Sequence, residues 1–231
     1  MNAYAFQLVG AALLAQPSGA LWWPDRSLLA VSDLHFGKSD RAARRAGALL
    51  PPYETQDTLA RLDADIALLQ PDTVLCLGDS FDDLEAAETL AEPLALWLAR
   101  LMAGRRWLWV EGNHDPGPLA LGGTHLAVHR EGPLSFRHIA LTGRPGETCG
   151  EVSGHYHPKA RVGPVSRPCF LLDDCRLVLP AYGTYTGGLR TGSAAIESLM
   201  GPDALALLTG PRVLPVPMPR TQSQSNSASN G

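Results

Sequence analysis

Three short apolar runs in the first half of the chain each end on a polar cluster. Ser27–Val31 ends at Ser32-Asp33, Thr73–Leu77 at Gly78-Asp79, and Trp107–Val110 just before Gly112-Asn113-His114-Asp115. Runs this short, apolar without alternation, predict strands buried on both faces. Between the first two, Glu54 to Gln70 carries Leu59, Leu62, Ile66 and Leu69 at spacings of three and four, which predicts a helix with one apolar stripe. Pro71-Asp72 stops it. Asp83 to Ala103 is a second helical stretch in which Pro93 marks a kink or a restart. Near the N-terminus, Ala11–Leu14 and Ala20–Trp23 flank Pro17-Ser18-Gly19 and predict a hairpin.

The second half changes character. Leu134–Leu141, Glu151–Ser153, Cys169–Leu172 and Arg176–Leu179 are strand-like runs between Gly, Pro and Asp turns, and Asp173-Asp174 suggests a hairpin connection. A β-α-β-α-β half followed by a mostly β half implies an α/β layered sandwich with a mixed sheet in the second half. With 231 residues, 45% of them hydrophobic, the chain can bury one sizeable core. Residues 1–220 are therefore expected to form a single domain. Thr221–Gly231, rich in Ser, Asn and Gln, is expected to be a disordered tail.

Charge narrows the function. A formal net charge of −4 argues against a protein that coats nucleic acid non-specifically. It does not argue against an enzyme that meets phosphates through bound cations, because sequence charge leaves those ions out. Cys76, Cys149, Cys169 and Cys175 show no C-x-x-C pair and read as free core thiols suited to a reducing compartment. The apolar N-terminus lacks a preceding basic segment, so no signal peptide is expected. No stretch is long enough to span a bilayer. The expected location is cytoplasmic.

The polar clusters carry the candidate chemistry. Sites in open α/β sheets collect where strands end, so Asp33-Leu34-His35, Gly78-Asp79 and Asn113-His114-Asp115 can converge although they lie far apart in sequence. His155-Tyr156-His157 follows the Glu151–Ser153 run and makes a fourth cluster. Carboxylate, imidazole and amide oxygen suit borderline to hard divalent metals. Alternate residues of an extended segment point to one side, so each x-separated pair could address one ion or two adjacent ones. More ligands are present than one ion needs. A two-ion site requires a bridging carboxylate, for which Asp79 is the natural choice. Each cluster alone is weak, and their order and placement together are not.

In this order the clusters resemble the calcineurin-like metallophosphoesterase superfamily, whose signature runs D-x-H, G-D-x-x-D, G-N-H-D/E, an isolated His, then G-H-x-H. Here these are Asp33-Leu34-His35, Gly78-Asp79-Ser80-Phe81-Asp82, Gly112-Asn113-His114-Asp115, His138 and Gly154-His155-Tyr156-His157. The contexts Val31 to Lys38, Gly154 to Pro158, Arg167 to Phe170 and Pro180 to Gly188 are similar to the ligase-associated DNA-damage-response endonucleases, where His is common at the place of Asp82. The resemblance implies an αββα sandwich of mixed sheets flanked by helices, and a two-metal phosphodiesterase or DNA-repair nuclease. Asp33, His35 and His157 would hold one ion, Asn113, His138 and His155 the other, and Asp79 would bridge them. His114 would act at the reacting phosphoryl group, Asp115 would orient its ring, and Asp82 would support the ligands from behind. The ions would be divalent, Mn²⁺ foremost, with Fe, Zn or Co also admitted. A DNA substrate and functional association with a DNA ligase and a helicase follow from the same likeness; no membrane contact is expected because no stretch is long enough to span a bilayer.

Two other readings differ in function. One keeps the metals but acts on small-molecule or nucleotide phosphate esters, and the acidic charge favours it. The other is a metal-free interaction scaffold, opposed by the presence of every expected ligand type. Arg41, Arg44 and Arg45 follow Lys38 at helical spacing and read equally as a solvated face or as a nucleic-acid contact. Trp22, Trp23, Trp107 and Trp109 lie in strand-like runs and read as packing residues rather than base-stacking ones. Tyr182 and Tyr185 approach the site only by the family likeness. His125 and His129 fit no ligand pattern.

Overall fold

The computed structural model describes residues 2–39, 41, 51, 53–117, 121–143 and 148–220. Arg44, Arg45 and the Thr221–Gly231 tail lie outside the described residues. Seven strands form the first sheet in chain order: β1 (Tyr4–Leu8), β2 (Ala11–Ala15), β3 (Leu21–Trp23), β4 (Leu28–Val31), β5 (Thr73–Leu77), β6 (Arg106–Val110) and β7 (Thr124–Leu126). The first four pair antiparallel through hairpins, and β4 to β7 pair parallel. The second sheet holds β8 (His129–Glu131), β9 (Leu134–Arg137), β10 (Glu151–Ser153), β11 (Lys159–Val162), β12 (Val165–Leu172), β13 (Arg176–Val178), β14 (Leu205–Leu208) and β15 (Leu214–Pro217). Its order is β15-β14-β12-β13-β10-β9-β8, with β11 paired to β12. Only β9–β10 and β10–β13 are parallel there, so both sheets are mixed, not the second alone.

Strand periodicity explains the layers. In β5, Leu75 and Leu77 point into the space between the sheets, where Phe136, Val152, Phe170 and Leu177 of the second sheet meet them. Val74 and Cys76 point the other way, onto Leu59, Leu62 and Ile66 of α1 (Glu54–Leu69). In β6, Leu108 and Val110 face inward, and Trp107 and Trp109 face α3 (Glu92–Met102). Alternate residues thus serve two different cores, which is why these strands read as unbroken apolar runs. On the far side, Leu171, Val178 and Leu208 pack against Ile196 of the four-residue α4 (Ala194–Glu197). The result is an αββα sandwich of the metallophosphoesterase type, with a thin fourth layer.

Pro93 marks a restart rather than a kink: the Asp83–Ala103 stretch is two helices, α2 (Leu84–Glu88), capped by Asp83 on Ala86 N, and α3, with Pro93 in its first turn, where no N–H is needed. Several other expectations need correction. The Leu134 run leaves the sheet after Arg137. β1 and the β14–β15 hairpin were not expected. Pro215 and Pro217 of the edge strand β15 hide its pattern. Cys149 and Cys175, expected as free thiols, are disulfide-bonded with Cα atoms 4.1 Å apart. Gly150 N donates to Cys175 O, which seats the turn before β10 on the β12–β13 hairpin. That pairing removes the thiol-spacing argument for a reducing compartment. Cys76 and Cys169 are free and buried. Among the described residues, no helix is long and apolar enough to cross a membrane.

Candidate metal centre

The loops leaving β4 and β5 do not splay apart. Asp33 N donates to Gly78 O at 3.2 Å, His35 N to Asp79 O at 3.0 Å and Phe36 N to Ser80 O at 3.0 Å, so the ladder continues past the strands. Asp33, His35, Asp79, His155 and His157 all stand at positive φ, between +45° and +70°, among nine such non-glycine residues in the described chain. Each costs about 1–3 kcal/mol, and such outliers gather where function over-determines the backbone. The pairs Asp33/His35 and His155/His157 therefore share a side through left-handed turns, not through the extended backbone expected for them. Gly112 and Gly154 have no positive φ; their role is close approach. A Cβ on Gly112 would strike Asp79 and Asp115, and one on Gly154 would strike Ser32 and Asp33.

Among the described residues, three groupings of ligand atoms lie within 4.8 Å of one another: Asp33 with His35 and His157, Asp79 with His138 and His155, and His35 with Asp82 and His114. In the first, Asp33 Oδ1, His35 Nε2 and His157 Nε2 are buried and lack hydrogen-bond partners, although His157 Nε2 lies 3.0 Å from Asp33 Oδ1. Unpaired buried polar atoms are costly, so three converging on one point fit a cation. In the second, His138 Nε2 lies 3.3 Å from Asp79 Oδ2, 3.0 Å from Asn113 Oδ1 and 3.3 Å from His155 Nδ1. His138 Nδ1 lies 3.8 Å from Asp33 Oδ1, so the two groupings adjoin. The third is already compensated: Asp82 takes His35 Nδ1 at 2.8 Å, Arg41 Nη1 at 2.9 Å and Lys38 Nζ at 3.6 Å. Two protein cations there leave no place for a third charge.

Electrostatics favour ionised carboxylates at Asp33, Asp79 and Asp82, whereas burial raises Asp115 to about 6. Burial alone would raise Asp79, but the His138 hydrogen bond and the His138 and His114 charges hold it at about 2. Burial would likewise raise Asp82, yet His35, Arg41 and Lys38 hold it well below the usual carboxylate range. Burial lowers His138, and Asp79 and Asp33 outweigh it and raise the imidazole above its ordinary value. Ligating histidines are neutral, so a cation binding there competes with protonation of His138.

The surroundings of the ligands depart from expectation at two points. Asp115 does not touch the His114 ring. Its carboxylate accepts Ser80 N at 2.7 Å, Phe81 N at 3.1 Å and Gly112 N at 3.2 Å, tying the β5 and β6 loops together. The His114 ring is held by Asp82 O, 2.8 Å from Nδ1, with Arg41 Nη1 at 3.3 Å, so Arg41 belongs to the site rather than to a solvated helix face. Ser32 was missed: its hydroxyl bridges Asp33 Oδ2 at 2.5 Å and Leu77 O at 3.0 Å. A polar residue closing a buried apolar run was its only signal. The Tyr182–Gly188 loop does border the site. Gly183 N donates to Asp33 O at 3.0 Å, while Tyr182 is buried on Asp65 and Tyr185 is exposed. Trp23, Trp107 and Trp109 are buried and Trp22 half-buried, as packing residues.

Asp82 orients His35 by taking Nδ1 and leaving Nε2 toward Asp33. Asp82→Asn is therefore expected to weaken metal affinity by about 10–100-fold while leaving the fold intact. A chelator-competition titration checks it, and wild-type affinity would remove Asp82 from this role.

An αββα sandwich with adjoining Asp/His groupings at its strand ends defines a metal-dependent phosphoesterase. The calcineurin-like phosphoesterase family model matches residues 26–201, and the chain belongs to that family. The crystal structure of Pseudomonas putida nuclease MPE is similar, with a TM-score of 0.73 at 27% identity, covering 93% of this chain and 100% of that one. No curated protein matches this chain significantly.

Proposed function

We propose that the protein hydrolyses phosphodiester bonds of DNA with two divalent cations, Mn²⁺ foremost. Asp33, His35 and His157 would hold one ion, Asn113, His138 and His155 the other, and Asp79 would bridge. The observation that carries this reading is the pair of adjoining ligand groupings, one of them built from buried atoms that lack partners. When bound, the cations supply an activated water and neutralise the phosphoryl oxygens. The chain's own residues do the rest. The His114 ring, fixed by Asp82 O, presents Nε2 at the partly exposed face of the site, where it protonates the leaving oxygen. Arg41, beside the same ring, adds positive charge near the phosphate.

A repair role rests on the narrower likeness to ligase-associated endonucleases, which also carries the functional association with a ligase and a helicase. The similar Pseudomonas putida protein, a nuclease, supports the nucleic-acid substrate. The net charge of −4 favours small phosphate esters instead. Side-by-side turnover of single-stranded DNA, bis-p-nitrophenyl phosphate and p-nitrophenyl phosphate with Mn²⁺ separates the two. Cleavage of DNA and of the diester above the monoester is expected. Monoester turnover alone would overturn the reading.

A further inference from the structure

Downstream of His157 the chain enters β11, and a second segment runs beside it. Leu189 N donates to Tyr156 O at 3.1 Å, Lys159 N to Leu189 O at 2.9 Å and Thr191 N to Lys159 O at 3.2 Å. A Cβ on Gly188 would meet the His157 backbone. Residues 188–191 are thus fastened to the metal-ligand loop and to the strand that leaves it. Between them lies a cleft of about 420 Å³, whose lining includes Lys159, Arg161, Arg190 and Arg220.

These cations stand out in a chain of net charge −4. Lys159 and Arg161 are two apart on β11, so their side chains share a face about 7 Å apart along the strand. Among the described residues their hydrogen-bond partners are neutral: Lys159 Nζ donates to Thr186 O at 2.9 Å, Arg161 Nε to Gly163 O at 3.1 Å, and Arg220 Nη2 to Met200 O at 3.3 Å and to Gly201 O. Carbonyl oxygens orient the cations without cancelling their charge. Arg161, Arg190 and Arg220 are exposed. Neighbouring cations left uncompensated repel one another, an arrangement that a bound polyanion relieves.

We propose that this cleft is a binding site for the phosphate backbone of a single polynucleotide strand, holding nucleotides that flank the bond cut at the metal centre. The inference rests on the nucleic-acid reading above and deepens it. A row of cations continuous with the site suits an extended strand of regularly spaced phosphates, whereas a small diester ends before reaching it. The lining also offers Leu189 and Thr191 rather than carboxylates, so no acidic group opposes a passing backbone.

The test is binding of a short fluorescent phosphorothioate oligothymidylate to the full chain with Mn²⁺, across a salt series. The Arg161→Ala/Arg190→Ala variant is compared with Arg130→Ala/Arg212→Ala, whose exposed arginines lie outside the cleft. The cleft variant should bind about tenfold or more weakly, with a salt slope shallower by about 1.4, since each lost single-strand phosphate contact removes about 0.7. The control variant should match the wild type. Equal affinity and slope in the two variants would overturn the cleft while leaving the nuclease reading to stand on DNA cleavage. Equal displacement of the oligonucleotide by poly-glutamate would also overturn it, because the cleft would then be a general polyanion surface. No wild-type binding or cleavage of DNA, with bis-p-nitrophenyl phosphate still turned over, would remove the nucleic-acid reading itself and the cleft with it.

Discussion

Replacing Asp79 by asparagine is expected to abolish stoichiometric metal binding and to lower kcat on bis-p-nitrophenyl phosphate by about a thousandfold or more. Cations contribute several kcal/mol of transition-state charge stabilisation, and each 1.36 kcal/mol is tenfold in rate. The substitution is chosen so that shape survives. Asp79 stands at φ +45°, a region asparagine tolerates. Its Oδ1 accepts His114 N at 2.8 Å, a bond an amide oxygen can keep. What goes is the negative charge that Asp79 turns toward His138, His114 and the proposed ions. The ionised Asp79 is stabilised in the fold by His138 and His114, so the metal-free variant should unfold earlier than the metal-free wild type. Elemental analysis, a thermal melt with chelator and turnover in excess Mn²⁺ check the three parts. A variant with full metal content and near-wild-type turnover would show that Asp79 does not join the two groupings.

Much of this centre is legible because its residues sit at the ends of strands that announce themselves. β4, β5 and β6 are apolar on both faces, since each serves two cores, and whatever polar residue ends such a run must lie at the sheet's edge. Asp33, Asp79 and Asn113 are found that way, and His155 follows β10 likewise. His138 is found only by its order along the chain, because β9 exposes alternate residues and its end is blurred by Ile139 and Leu141. What the pattern cannot carry is backbone hand. Nothing in Asp33-Leu34-His35 distinguishes an extended segment from the left-handed turns it adopts, because that choice is imposed by the ladder to Gly78, Asp79 and Ser80. Side-chain partners are equally hidden. Asp115, next to His114 in sequence, points to backbone N–H groups of another loop, and Asp82, far from it, supplies the carbonyl that holds its ring. The Cys149–Cys175 bond escapes for the same reason, since the parallel β10–β13 pairing brings together segments 26 residues apart.

His114→Ala is expected to separate chemistry from metal binding. The His114 backbone N–H to Asp79 persists in alanine, and the ring belongs to neither of the proposed ion sites, so metal content should stay at the wild-type level. Loss of a positioned acid should lower kcat by about 10²–10⁴-fold. The leaving group tells a proton donor from a mere support. Nitrophenolate is weakly basic and departs without a proton, whereas the alkoxide leaving a DNA strand must be protonated as it departs. The loss should therefore be far larger on DNA than on bis-p-nitrophenyl phosphate. A ring that only shaped the site would depress both substrates alike, and that result would move the proton transfer away from His114. The ring's setting favours the first outcome: Nδ1 is held by Asp82 O at 2.8 Å, which leaves Nε2 as the nitrogen able to meet an ester, and a side chain 28% exposed leaves it within reach.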